Sequence, residues 1–263
     1  MSQDTTAPAS GAAASAPLLQ VEGLGKEYGA IVALHDVSFT IRAGEVVGLV
    51  GDNGAGKSTL VNSLAGAIVP TAGKIVLDGV DCQFRTPADA QAVGIQTVYQ
   101  QLALVEIFDT AANFFLGREL VHHGWRGLFG IVDRGTMRRK AEAAVAQLPA
   151  RFLNPRAAIE TMSGGQRQTV AIAKAAFWGG RLLLLDEPTA ALGIRESAGV
   201  LAMITHLVAE NRMAMILISH NIEHVWAVCS RVLVLRQGML AADLAKASTT
   251  KEQVVGYVTG AIS

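Results

Sequence analysis

The chain has 263 residues, 51% of them hydrophobic and 17% charged, enough for one sizeable α/β domain and too few for a large multidomain machine. Its 22 basic and 22 acidic residues cancel, which argues against a protein that grips nucleic acid through bulk positive charge. Mean hydropathy is high, yet no apolar run approaches the roughly 18–20 residues of a membrane-spanning helix, so the chain is expected to be soluble.

The first residues, MSQDTTAPASGAAASAPL, carry no Lys or Arg and no continuous apolar core. They fail as a secretory signal, and their Ala/Ser/Pro/Thr bias predicts a disordered tail over 1–17. From Leu18 onward short Val/Ile/Leu runs alternate with helical stretches. Strands are predicted at Leu18–Val21, Val37–Ile41, Glu45–Val50, Lys74–Leu77, Ile95–Val98, Leu182–Leu185, Ala214–Ile218 and Val232–Leu235. Several are apolar on both parities, as strands buried on both faces of a mostly parallel sheet should be. Helices are predicted at Lys57–Ala67, Asp109–Leu116, Arg134–Leu148, Gly164–Phe177, Arg195–Asn211, Ile222–Cys229 and Thr250–Val258. A shorter one opens at Thr86-Pro87 and closes at Gly94. Between about 101 and 178 no strand signal stands out, so that stretch reads as a helical insertion within one domain spanning 18–263. Cys82 and Cys229 lack metal-ligand or redox spacing and are expected to be reduced thiols of a cytosolic protein.

Three segments carry chemistry. Gly51-Asp52-Asn53-Gly54-Ala55-Gly56-Lys57-Ser58 follows a predicted strand, precedes a helix and fits G-x-x-x-x-G-K-[ST]. Its glycines let successive N–H groups face one concavity at a helix N-terminus, which suits phosphate. Lys57 adds a point charge and the Ser58 hydroxyl can ligate Mg²⁺, with Thr59 next to it. Leu182–Leu185 then ends in Asp186-Glu187-Pro188, a buried strand presenting two carboxylates. Asp186 is placed to hold Mg²⁺ and Glu187 to polarise an attacking water. Finally, Met162-Ser163-Gly164-Gly165-Gln166-Arg167-Gln168 opens a long helix with a serine cap and two glycines, a second place where a phosphate can bind.

Together these residues resemble the nucleotide-binding domain of ATP-binding cassette (ABC) proteins over essentially all of 18–263. GDNGAGKS resembles the family's Walker A motif, LLLLDEP its Walker B with the catalytic glutamate, and MSGGQ its LSGGQ signature. By the same resemblance Tyr28 matches the aromatic that stacks on adenine, Gln100 the Q-loop glutamine, and His220 the switch histidine that contacts the γ-phosphate. Alone, Tyr28 reads as a strand-edge core aromatic, Gln100 as a solvated loop amide and His220 as a cap of the next helix; the constellation reverses that reading for all three. The other histidines, including His122-His123, read as surface residues.

The resemblance implies a P-loop NTPase fold: a RecA-like, mostly parallel α/β sheet core, an antiparallel β subdomain and a helical subdomain near 101–178. It implies ATP and Mg²⁺ as cofactors, with Ser58, Gln100 and Asp186 on the metal side and Lys57, Gln100, Glu187 and His220 as the catalytic set. It also implies a head-to-tail dimer in which Ser163, Gly164, Gly165 and Gln166 serve the nucleotide of a partner cassette. Two departures stand out. Gly193 replaces the aspartate often found after Ala190-Ala191-Leu192, and Met162 replaces the signature leucine, a volume-conserving change.

VYQQLALVEIFDTAANFFLGRE, EPTAALGIRES and EQVVGYVTGA look like ATPase subunits of bacterial monosaccharide importers of the fructose and ribose type, here with a single cassette. That implies a membrane permease docked on the helical insertion, an indirect link to a periplasmic substrate-binding protein, no nucleic acid, and a place on the cytoplasmic face of the bacterial inner membrane. An importer of amino acids, lipids or metals would use the same engine. Non-transport ABC ATPases usually add tandem cassettes, coiled-coil insertions or basic extensions, which this sequence lacks.

Overall fold

The structure, a computed structural model, describes residues 16–123, 129–148, 154–211 and 213–262. Of the tail expected over 1–17, only the last two residues fall within these ranges.

The central sheet forms because its strands have no polar face. In β7 (Leu182–Asp186) four successive leucines are fully buried. Leu183 and Leu185 enter one apolar core and Leu182 and Leu184 the other. The same split divides β3 (Val46–Val50), β8 (Ala214–Ile218) and β9 (Arg231–Arg236) between the two cores. With β6 (Ile95–Val98) these strands are all parallel, and β10 (Met239–Ala245) closes one edge antiparallel. The order is β10-β9-β3-β8-β7-β6.

A second, antiparallel sheet has the order β2-β1-β4-β5. It comprises β1 (Leu19–Tyr28), β2 (Ile31–Ile41), β4 (Ala72–Leu77) and β5 (Val80–Cys82). Its inward residues, among them Leu19, Val21, Ile41 and Ile75, share one core with α1 (Lys57–Leu64) and the central sheet. The hairpin of β1 and β2 is far longer than predicted, because its outer parts alternate with solvent and carry bulges after Val21 and Leu24. Strands β5 and β10 were not expected; the first is three residues long and the second mixes Ala and Asp with half-buried apolar positions.

Parallel strands need crossovers, and helices supply them. α2 (Pro87–Ala92) starts from a capping box between Thr86 and Asp89 with proline in its first turn. Between β6 and β7 the described residues contain α3 (Thr110–Phe114), α4 (Arg134–Ala146), a 3₁₀ turn at Ile159–Thr161 and α5 (Gly164–Phe177). Among the described residues two isolated bridges interrupt this helical stretch, Asp109 with Ala158 and Val121 with Val132. An aromatic group of Phe114, Phe115, Phe177 and Trp178 ties α3 to the C-terminal end of α5, with ring centroids 5.3–5.5 Å apart. The Trp178 indole donates to the Phe114 carbonyl at 2.7 Å. α6 (Ile194–Asn211), α7 (Ile222–Val228) and α8 (Lys251–Thr259) complete the helical side. Among the described residues no helix is long and apolar enough to cross a membrane.

Replacing Leu184 with alanine would open a cavity between the two sheets. The Leu184→Ala chain should lose about 2–5 kcal/mol of unfolding free energy, measured by urea titration; an unchanged midpoint would mean that this core can collapse around the loss.

Candidate nucleotide site

Because β3, β6, β7 and β8 run parallel, the loops that follow them emerge along one edge of the sheet. Register makes this concrete: Ile218 pairs with both Leu49 and Asp186, and Leu185 with Val98. Gly51, Asp186, Glu187 and His220 are therefore delivered to the same crevice. β6 ends on the same edge, with Gln100 exposed two residues past it.

The loop 51–56 is gripped from below. Gly51 has φ of 152°, and a Cβ on it would fall 2.1 Å from the Leu235 carbonyl oxygen, so only glycine fits. The Ala55 carbonyl accepts from the Gly238 amide at 3.0 Å, while the Gly238 carbonyl accepts from His35 at 2.8 Å. The turn between β9 and β10 thus holds both this loop and β2. Asp52, Asn53, Gly54 and Ser58 face outward. Lys57 Nζ donates to the carbonyls of Gly51 at 2.7 Å and Asp52 at 2.9 Å. Burial lowers its pKa from the ordinary lysine value, opposed by the charges of Glu187, Asp52 and Asp186.

Asp186 closes β7, and burial raises its pKa above the usual aspartate value; neighbouring Glu187 pushes the same way and Lys57 opposes. Glu187 leaves the strand with φ of 49°, its amide still donating to Ile218 at 3.0 Å. That backbone is unusual for a non-glycine residue and turns the side chain into the crevice. Its Oε1 accepts from the His220 amide at 3.0 Å and lies 2.9 Å from His220 Nδ1. Its Oε2 is buried and has no hydrogen-bond partner among the described residues.

Tyr28 ends β1, nearly half exposed, with Lys26 Nζ 5.1 Å from its ring centroid. The serine segment is built as expected: Ser163 caps α5, accepting from the Gln166 amide at 3.3 Å while the Gln166 side chain accepts from Ser163 at 2.9 Å. Among the described residues, the side-chain bonds of Ser163 and the amide of Gly165 run to Gln166 and Glu196 rather than to the loop 51–56. One chain therefore carries two separate phosphate-competent helix starts.

Two residues escaped the sequence reading. Glu196 sits in the first turn of α6, a position its acidity could have flagged. His224, read as a surface residue, is instead half-buried, with Nδ1 2.8 Å from the Thr189 hydroxyl. Its place in the first turn of α7, just after the N-cap Asn221, carried no signal of its own.

A family model described as "ABC transporter" matches residues 34–190. The chain belongs to the ABC transporter family. Membership makes it an ATP-binding and ATP-hydrolysing cassette. It is 42% identical over 250 residues to the fructose import ATP-binding protein FrcA of Rhizobium meliloti, a match covering 94% of this chain and 96% of that protein. It is 39% identical to the ribose import ATP-binding protein RbsA of Chromobacterium violaceum, covering 91% of this chain and 46% of that one. The cassette thus spans about half the length of the ribose relative. Its backbone superposes on the dimeric post-hydrolysis ATP-binding cassette MJ0796 with a TM-score of 0.70 at 24% identity, covering 87% of this chain and 98% of that one. At that identity the likeness speaks for the fold.

The raised pKa of Asp186 has a sign. A carboxylate that protonates more readily folded than unfolded costs stability above its folded pKa, and that cost fades as pH falls below it. Asp186→Asn should therefore melt higher than the parent near neutral pH, and the gap should narrow on acidification, as read by thermal unfolding across pH. A lower melting temperature at neutral pH would mean that the attraction to Lys57 outweighs burial.

Proposed function

We propose that this cassette hydrolyses ATP to drive uptake of a monosaccharide, working as a dimer beneath a membrane permease. The observation that carries the chemistry is the Glu187 carboxylate, fixed through one oxygen by His220 and left with a buried second oxygen that has no partner among the described residues, beside Asp186 and Lys57. That second oxygen can accept the proton of a water attacking the γ-phosphorus, while ADP departs with the electron pair of the broken P–O bond. The loop amides 51–56 and Lys57 neutralise charge growing on the β–γ bridge. His220 and Gln100 contact the γ-phosphate, and Tyr28 offers its exposed ring to adenine.

The donor set fits Mg²⁺. Ser58, Asp186 and Gln100 offer hard oxygen atoms, and no group of three or more His, Cys, Asp or Glu among the described residues forms an all-protein cage. Ser58, Asp186 and Gln100 would hold such a cation together with the oxygens of the substrate phosphates. When bound, it supplies charge neutralisation on the phosphate oxygens.

The separation of Ser163–Gln166 from the loop 51–56 supports a head-to-tail dimer, in which each signature completes the partner's nucleotide site. The related MJ0796 cassette is described as dimeric and bound to ADP and Pi. The sugar assignment rests on the fructose and ribose importers named above, and brings with it a periplasmic substrate-binding protein and a position on the cytoplasmic face of the bacterial inner membrane. For the permease, the helical insertion offers a cavity of about 480 Å³ edged by exposed Ile107, Phe108 and Leu116 and by Arg134 and Arg138.

Glu187→Gln should lower ATP turnover by about 10²–10⁴-fold with nucleotide affinity retained, measured by phosphate release and by fluorescent-nucleotide titration. An unchanged rate would remove Glu187 from the role of base. Ser163→Arg should likewise bind ATP without hydrolysing it, and full turnover by a demonstrably monomeric form would end the dimer reading.

A further inference from the structure

The loop leaving β7 has Gly193 where an aspartate is common in the resembling family, and the fold brings another carboxylate to that spot. Glu196 Oε2 accepts from the Gly193 amide at 3.3 Å, and Oε1 lies 3.5 Å from the Gly165 amide. The Ser163 side chain lies close enough to the same carboxylate to favour its charged form. Gly165 has no room for a side chain of its own, since a Cβ would stand 2.8 Å from Glu196 Cβ. Donors from two loops thus converge on one anion, and they hold the Glu196 carboxyl below the usual glutamate range. The charge also faces the N-terminal turns of α5 and α6, where helix dipoles favour it.

The same loop is fastened at its other end. Thr189 meets His224, four residues beyond the histidine that holds Glu187. Hydrogen bonds and chain connectivity together therefore link Glu187 and His220, through the Thr189–His224 pair and the short loop to Gly193, with Glu196 and Gly165. One end of this run is the carboxylate at the chain's own nucleotide; the other is the signature.

We propose that Glu196 is a positioning residue for the signature, setting Ser163 and Gly165 for the nucleotide bound by a second copy of this chain. It links the signature to the loop after β7, the role for which Gly193 has no side chain. This rests on the dimeric reading above. A glutamate that merely stapled its own chain would act on that chain's stability alone, whereas a glutamate that positions the signature acts on the partner's site.

Mixed dimers separate the two. Glu196→Ala alone should lower kcat by about 10- to 100-fold while monomeric nucleotide affinity stays unchanged. Mixed one to one with Glu187→Gln, it forms heterodimers in which one site pairs an intact Glu187 with an intact signature. Turnover should then rise to roughly a quarter of the parent rate for random assortment, well above the sum of the two variants alone. The pair Ser163→Arg with Glu187→Gln runs alongside and tests the dimer itself. Rescue by both pairs is the expected result. Rescue by the Ser163→Arg pair only, or full activity of Glu196→Ala by itself, overturns the role of Glu196. Rescue by neither brings down the dimeric reading and this inference with it. Thermal unfolding accompanies each variant, and if Glu196→Ala melts early, Glu196→Gln, which keeps the size and one acceptor oxygen, takes its place in the same mixtures.

Discussion

Because both faces of the central sheet are covered by apolar cores, charged side chains can leave it only at strand ends. Parallel pairing then puts those ends together along one edge. Almost everything about the site follows from this. The loop 51–56 is held where β3 stops, Asp186 and Glu187 where β7 stops, and His220 where β8 stops. None of these residues had to be brought near the others by a special device. The sheet does it through register alone, with Ile218 paired to Leu49 on one side and Asp186 on the other.

The crevice so formed is electrostatically tense. Lys57, Asp186 and Glu187 share a half-buried space, and burial works against the charged forms of both Lys57 and Asp186. The lysine turns onto the carbonyls of its own loop, and the glutamate is held by histidine at a positive φ. Such arrangements persist only when the scaffold around them over-determines the geometry. Here that scaffold is the pair of cores on either side of four adjacent leucines.

The same physics explains what could be read in advance. Residues 182–185 and 164–177 stood out because burial on both faces and a capped amphipathic helix each leave a local imprint. The outer parts of the β1–β2 hairpin did not, since one side faces solvent and bulges break the alternation. β5 is too short for any period, and β10 earns its place by pairing with β9 rather than by composition. In the site, the phosphate loop and acidic pair were legible because their chemistry is contiguous in sequence. Glu196 and His224 were not, because each acts across a loop, 31 and 35 residues from its partner.

The aromatic group at the end of α5 has a geometric consequence of its own. Phe177 and Trp178 anchor that helix to α3 at its C-terminal end, while Ser163 sits at the other. The helix between them has 14 residues, a rod of about 21 Å at 1.5 Å per residue. With the anchor as pivot, a tilt of about 5° displaces the serine by about 2 Å, more than half the length of a hydrogen bond. The helix therefore joins the aromatic cluster to the serine cap as one stiff element, so that fixing the orientation of one end fixes the position of the other.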